Sequence, residues 1–234
     1  MLTVCLALSA MATDMPKQGL GIQIGWAQPI LRLNSPSQDY PKDSLVNTVQ
    51  LNGLKFGLIY DASYIAGFGS SMGINYTFAG GHTDWQKKNL SFSSRTQTLY
   101  QQIEVFVDWQ YKFEVAKETY LTLYTGPTIQ CGLLLNMNVF ERNDLTDEIT
   151  SDSYSAYNTD LTNEHLKRLN VTWGLGASFQ YQRYFLRGGY DFGLINPYAN
   201  SQFVNALGQT YDRYTRGRFD EWSIKVGMYF WYED

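Results

Sequence analysis

Eight separate stretches of this chain alternate apolar with small or polar residues at every second position, and that period dictates extended backbone with two chemically different faces. The first, about 20–28, sets Leu20, Ile22, Ile24 and Trp26 against Gly21, Gln23, Gly25 and Ala27. The others cover about 51–61, 67–78, 99–113, 119–135, 169–181, 184–195 and 221–232. In the fourth, Ile103, Val105, Val107, Trp109 and Tyr111 share one face, and Gln102, Glu104, Phe106, Asp108, Gln110 and Lys112 the other. Stretches of this length satisfy the roughly 9–11 residues that a tilted strand needs to cross hydrocarbon. The connections alternate as well. Long ones are expected at 31–50, 79–98, 136–168 and 196–220, short ones at 62–66, 114–118 and 182–183. Long loops outside and short turns inside are the pattern of a transmembrane barrel, and an even strand count returns both ends of the barrel to the short-turn side.

Alternation alone does not say which face meets solvent, because a soluble barrel alternates with its apolar face inward. The polar face here is mostly Gly, Ser, Thr, Asn and Gln, where a water-facing surface would carry more Lys and Glu. The aromatics also sort by position. Traced alternately up and down, Trp26, Tyr76, Phe78, Trp173, Phe192 and Trp222 fall near the long-connection end. Tyr60, Trp109, Tyr111, Phe113, Tyr181, Tyr184, Phe230 and Tyr232 fall near the short-turn end. Two girdles of ring side chains are what two membrane interfaces select. Aromatics make up 16% of the chain, which supplies enough rings for both.

The remaining composition excludes several classes. A hydrophobic content of 44% argues against disorder, and a net charge of −4 without a basic stripe argues against nucleic acid as a partner. No run of the roughly 18 apolar residues that a spanning helix requires is present. The mean hydropathy of −0.31 fits a barrel whose inner face and loops are polar. Residues 1–12 end in Ala10-Met11-Ala12 after an apolar run, which reads as the remnant of a signal peptide, and 13–19 then form a periplasmic N-terminal segment ahead of a barrel over 20–232. With Cys5 in that leader, Cys131 has no partner for an internal disulfide.

Catalytic chemistry is not evident. His82 and His165 lie in different connections, away from any Ser and carboxylate in a triad context. The glycines occupy alternate strand positions instead of a phosphate loop. No catalytic, metal or cofactor residues are therefore assigned. Two constellations remain. Lys55, Glu104, Asp108, Lys112, Arg187, Asp191 and Lys225 all project to the inner face, where an eight-stranded barrel has room only for side chains, so they must pair or be hydrated. Asp191 and Lys225, on neighbouring strands, are expected to pair. The network either fills the barrel or lines a gated ion path. The second constellation is in the loops. The third long connection carries Glu141, Asp144, Asp147, Glu148, Asp152, Asp160 and Glu164, and the fourth carries Tyr198, Phe203, Tyr211, Arg213, Tyr214, Arg216 and Arg218. These are either solvated surface or a rim in which the acidic loop docks on the basic one to bind a surface ligand.

Ile103-Glu104-Val105-Phe106-Val107-Asp108-Trp109, Gly126-Pro127 and Gly188-Gly189-Tyr190-Asp191-Phe192-Gly193-Leu194 resemble the outer-membrane β-barrel family of Gram-negative bacteria, porin-like and PorT-type, with OmpX- and OmpA-like eight-stranded members. The resemblance spans nearly the whole chain after the leader. It departs at the last residue, Asp234, where many members end on an aromatic ring. It implies an all-β, antiparallel, up-and-down transmembrane barrel in the outer membrane, with membrane lipid and the barrel-assembly machinery as partners. The expected function is non-enzymatic, a structural or surface-interaction role toward an extracellular ligand or envelope protein. A narrow channel for ions or small solutes is the alternative, and an accessory barrel of a secretion or transport complex a further one, by family analogy alone.

Overall fold

The computed structural model describes residues 18–34, 46–65, 67–87, 91–157, 166–198, 202–204, 210–212 and 217–233. Eight long strands follow one another: β1 (Gln18–Asn34), β2 (Asn52–Ile65), β3 (Phe68–His82), β4 (Phe92–Ala116), β5 (Thr119–Asn143), β6 (Leu169–Tyr181), β7 (Tyr184–Gly193) and β8 (Gly217–Glu233). Each runs antiparallel to its chain neighbours, and β1 closes the ring on β8 in a register that pairs Ile24 with Val226. The result is a closed, up-and-down, all-β barrel. The leader over 1–12, and the segment up to residue 17, lie outside the described residues.

Exposure settles the orientation that alternation left open. Ile24 is 53% exposed, Val105 46%, Leu175 52% and Val226 55%, whereas Lys55 in the interior is 0%. Apolar surface left in water costs roughly 25 cal/mol per Å², so a continuous aliphatic face like this one is stable against hydrocarbon.

The strands run further than expected at the long-connection end. β4 begins at Phe92 and β5 continues to Asn143, with pairs such as Thr96↔Val139 and Ser94↔Glu141 holding them together. A further strand, Ile149–Ser155, adds to β5, Gln86–Lys87 adds to β4, and Val46–Gln50 adds to β1. Gln202–Val204 and Thr210–Asp212 form a separate hairpin. Among the described residues, most of 79–98 and 136–168, expected to be connection, is therefore paired sheet. The polar run Ser93-Ser94-Arg95-Thr96-Gln97-Thr98 gives no alternation signal, yet backbone hydrogen bonds form whether or not one face is greasy.

Two β-bulges reset which residues face inward. One lies between the pairs Gln101↔Leu134 and Gln102↔Gly132 and turns Leu135 and Met137 into the interior. The other leaves Phe230 unpaired between Gly21↔Tyr229 and Leu20↔Trp231. It reverses the faces of the last residues. Tyr232, expected in the outer girdle, instead packs against the interior cluster of Ile59, Phe106, Phe185 and Tyr229, and Trp231 takes the outward place.

Glycine makes room where an inward ring needs it. A Cβ on Gly176 would collide with the Tyr124 hydroxyl and the Gly188 carbonyl, and one on Gly189 would meet the same hydroxyl. Gly176→Val is expected to cost about 1–3 kcal/mol through overpacking, read as a lower urea midpoint of the refolded barrel in lipid vesicles.

Candidate functional site

The interior of the barrel is stacked in three tiers. Below the long-connection end lies an apolar cap of Leu31, Leu51, Ala79, Tyr100, Leu135, Met137, Ala156, Tyr157, Leu166 and Phe219, all buried. This corrects the expectation of a polar interior throughout. Its source is the ends of β1, β3, β4, β5 and β8 together with Leu51 and with residues 156, 157 and 166, the last three folding over the ring through the backbone bonds Ala156 N–H to Leu135 O and Leu166 N–H to Ala156 O. Gly132 accommodates the Tyr157 ring, over which Arg168 stacks at 5.0 Å while donating to the Gly132 and Leu133 carbonyls at 3.2 and 2.8 Å. Burial pushes the Tyr157 phenol above its usual range.

The middle tier is ionic. Lys55 donates to Glu104 at 2.7 Å and also to Glu221. Asn75 donates to Glu104 at 2.8 Å, Gln23 to Asn75 at 2.7 Å, and Gln102 to Glu221 at 2.8 Å. One step toward the short-turn end, Arg187 pairs with Asp108, donates to Ser71 at 3.3 Å and lies 3.5 Å from the centre of the Tyr124 ring. Lys225 stands over the Phe106 ring at 5.7 Å, and Lys112 donates to Gln180 at 3.2 Å. The third tier is aromatic. Phe185, Tyr229 and Tyr232 stack toward the short-turn end and join Phe106, which sits among the charges, with the Tyr229 hydroxyl on Asp61.

All seven charges placed on the inner face from sequence sit in this interior. Their pairing differs in one case. The register sets Asp191 opposite Glu221 and Lys225 opposite Arg187, so the expected Asp191–Lys225 ion pair does not form among the described residues. Both instead line a cavity of about 20 Å³ with Glu104, Asp108 and Ser223, room for about one water molecule. Glu221 and Asp61 are interior acids that the sequence reading left out of the network. Glu221 is two positions before Ser223 on the same face, so carrying the alternation one step back would have found it.

The aromatic belts also need one correction. Trp109 and Trp173, assigned to opposite girdles, lie in one patch with ring centroids 5.8 Å apart, and the Trp173 indole donates to Thr125 between them at 2.8 Å. The stagger of tilted strands puts residues at different sequence distances from the turns onto one level. Trp26 meets Trp222 edge-on at 4.5 Å, Phe56 meets Tyr76 at 5.2 Å, and Tyr111 bridges Phe68 and Phe113. Tyr60 donates to Gln18 at 2.9 Å, while Tyr181, Tyr184 and Phe230 are exposed near the short turns.

Of the expected rim, Arg213, Tyr214, Arg216, Asp160, Glu164 and the side chains of Phe203 and Tyr211 lie outside the described residues. Tyr198 of the fourth connection bridges to Leu166 of the third and packs against the apolar cap, while two charged members find partners close to home. Asp144 accepts from Ser93 at 2.7 Å and from Arg142 at 3.1 Å, and Arg218 pairs with Asp220 at 2.8 Å, so these two do not join the acidic loop to the basic one. The Ser93 hydroxyl, with help from Arg142, holds the half-buried Asp144 carboxyl below the usual carboxylate range. Its bracing of the hairpin is therefore present at neutral pH and is lost as pH falls through that lowered value. Among the described residues no group of three His, Cys, Asp or Glu side chains could hold a metal ion.

A closed antiparallel ring with aliphatic carbon outside and salt bridges inside defines an integral barrel protein of the bacterial outer membrane. The chain belongs to the family of outer membrane protein β-barrel domains, whose pattern matches residues 20–198. Among solved structures it is similar to Ail, the attachment invasion locus protein of Yersinia pestis, at 12% identity over 92% of this chain and 100% of Ail, with a TM-score of 0.40. A second structure of Ail, in complex with the heparin analogue sucrose octasulfate, gives 12% identity and a TM-score of 0.41, covering 92% of this chain and 100% of that one. Neisserial surface protein A gives 13% identity over 91% of this chain and 97% of its own, with a TM-score of 0.40. No curated protein matches the sequence.

Proposed function

We propose that this protein is a sealed, non-enzymatic barrel whose work is done at its long-connection end, outside the cell, as a surface-interaction protein. What supports this reading is the filling of the interior by buried side chains toward both ends. A buried apolar cluster lies at the long-connection end, an aromatic one toward the other, and Lys55 with Glu104 and Glu221, and Arg187 with Asp108, are paired inside, while Asp191 and Lys225 line a cavity with room for about one water molecule. An ion entering such a core would be stripped of water beside alkyl carbon, which costs several kcal/mol. What is left for function is the sheet that β4, β5 and Ile149–Ser155 extend past the aromatic belt. Its tip carries Trp85 beneath Arg142 at 5.0 Å.

In planar bilayers the refolded protein is expected to give no steady conductance. A stable open level that changes with Asp191→Asn would replace this reading with the narrow channel. In intact cells, protease added outside is expected to cut within 144–148, and protection of that turn until the outer membrane is breached would reverse the orientation.

A further inference from the structure

On the outer wall of the barrel, just past the Trp26–Trp222 ring pair toward the long-connection end, two arginines face each other across β1 and β8. Arg32 and Arg218 are direct partners in the strand register. Like charges placed opposite each other in an antiparallel pair repel. Here a single carboxylate is wedged between them. Asp220 takes Arg32 Nε at 3.1 Å and Arg218 Nε at 2.8 Å, and its Oδ1 also accepts the Gly193 N–H at 3.0 Å. The Asp220 side chain is 0% exposed, while 44% of Arg32 and 43% of Arg218 stay open to the outside.

The buried acid fixes both guanidinium groups and neutralises only one of them. Among the described residues one positive charge is left over, presented by two planar forks on one patch. Arginine forks match the oxygens of a phosphate in geometry and charge. The patch lies on the same outward face as Trp26 and Trp222, and interfacial tryptophans mark the depth where hydrocarbon gives way to headgroups.

We propose that Arg32 and Arg218, positioned by Asp220, form a binding site for the phosphate of a membrane lipid headgroup on the outer wall of the barrel. On the orientation given above, that lipid belongs to the outer leaflet. A headgroup phosphate bridging the two forks removes the leftover charge and the cross-strand repulsion together, and its acyl chains lie against the greasy strand faces below.

The probe is phosphatidic acid, a lipid phosphomonoester, mixed as a minor component into phosphatidylcholine vesicles that hold the refolded barrel. Lipids retained after transfer to detergent are counted by native mass spectrometry. The wild-type barrel is expected to retain phosphatidic acid over phosphatidylcholine, with about fivefold of the enrichment lost for each of Arg32→Gln and Arg218→Gln. Arg183→Gln, which removes a cation at the short-turn end, is expected to leave the enrichment unchanged. Equal enrichment in a folded double variant, Arg32→Gln with Arg218→Gln, would overturn the site. So would an equal loss in Arg183→Gln, which would mean that overall charge attracts the lipid. Displacement of the bound lipid by inorganic phosphate at matching concentration would overturn the headgroup assignment. Both faces of the protein are accessible in this measurement, so a reversed orientation in cells would leave its result intact.

Discussion

Lys55→Met is expected to destabilise the folded barrel by about 3–5 kcal/mol, the usual consequence of removing one partner from a buried charge cluster. Lys55 is fully enclosed and is the hinge of the middle tier, contacting both Glu104 and Glu221. Methionine fills a similar volume but leaves two carboxylates facing each other without a cation. Asn75 and Gln102 still donate to them, and these neutral hydrogen bonds offset only part of the loss. Urea unfolding of the protein refolded in lipid vesicles reads the change as a shift in midpoint at constant slope. The triple variant Lys55→Met, Glu104→Gln, Glu221→Gln should recover most of it, because amides can satisfy one another without charge. If the single variant loses less than about 1 kcal/mol, the acids are hydrated and the sealed core is wrong.

A charge on the opposite face should cost nearly as much for the opposite reason. Val105 is the outward neighbour of Glu104 and pairs across the sheet with Ile74 and Ile129, both exposed. Val105→Arg places a guanidinium at mid-wall against hydrocarbon, where barrels lose about 2–4 kcal/mol. Val105→Ala should be far milder, since the trimmed surface is still in contact with lipid carbon and no cavity forms. The same urea titration compares the two. Tolerance of arginine at 105, together with sensitivity to alanine, would indicate that this face packs against protein.

Much of this was legible in the strand pattern. Gln102, Glu104, Phe106, Asp108, Gln110 and Lys112 were placed together on the inner face of β4, and all six are buried. The short turns were legible too, as at 182–183, where Gln182 adopts φ 53° between β6 and β7. Glu221 was missed although the alternating stretch began at it, because a residue at the first position of a stretch has no preceding neighbour to fix its face, and β8 in fact begins at Gly217. Tyr232 was misassigned because a bulge inserts one residue without any mark in the local composition. The apolar cap was missed because it assembles residues from five strands and two connecting segments.

By itself the sequence determined what is local. Each side chain's face follows from a backbone whose period is two, and the greasiness of one face against the smallness of the other selects a membrane barrel. Partnerships were decided only by the closed ring. Whether Lys55 meets Glu221 or Asp191, whether Arg32 stands opposite Arg218, and what seals the lumen all depend on register, stagger and bulges. Those are set by the hydrogen-bond ladders between neighbouring strands and by the closure of β1 on β8, and a two-residue slip in any ladder changes every partner while leaving each side chain on its own face.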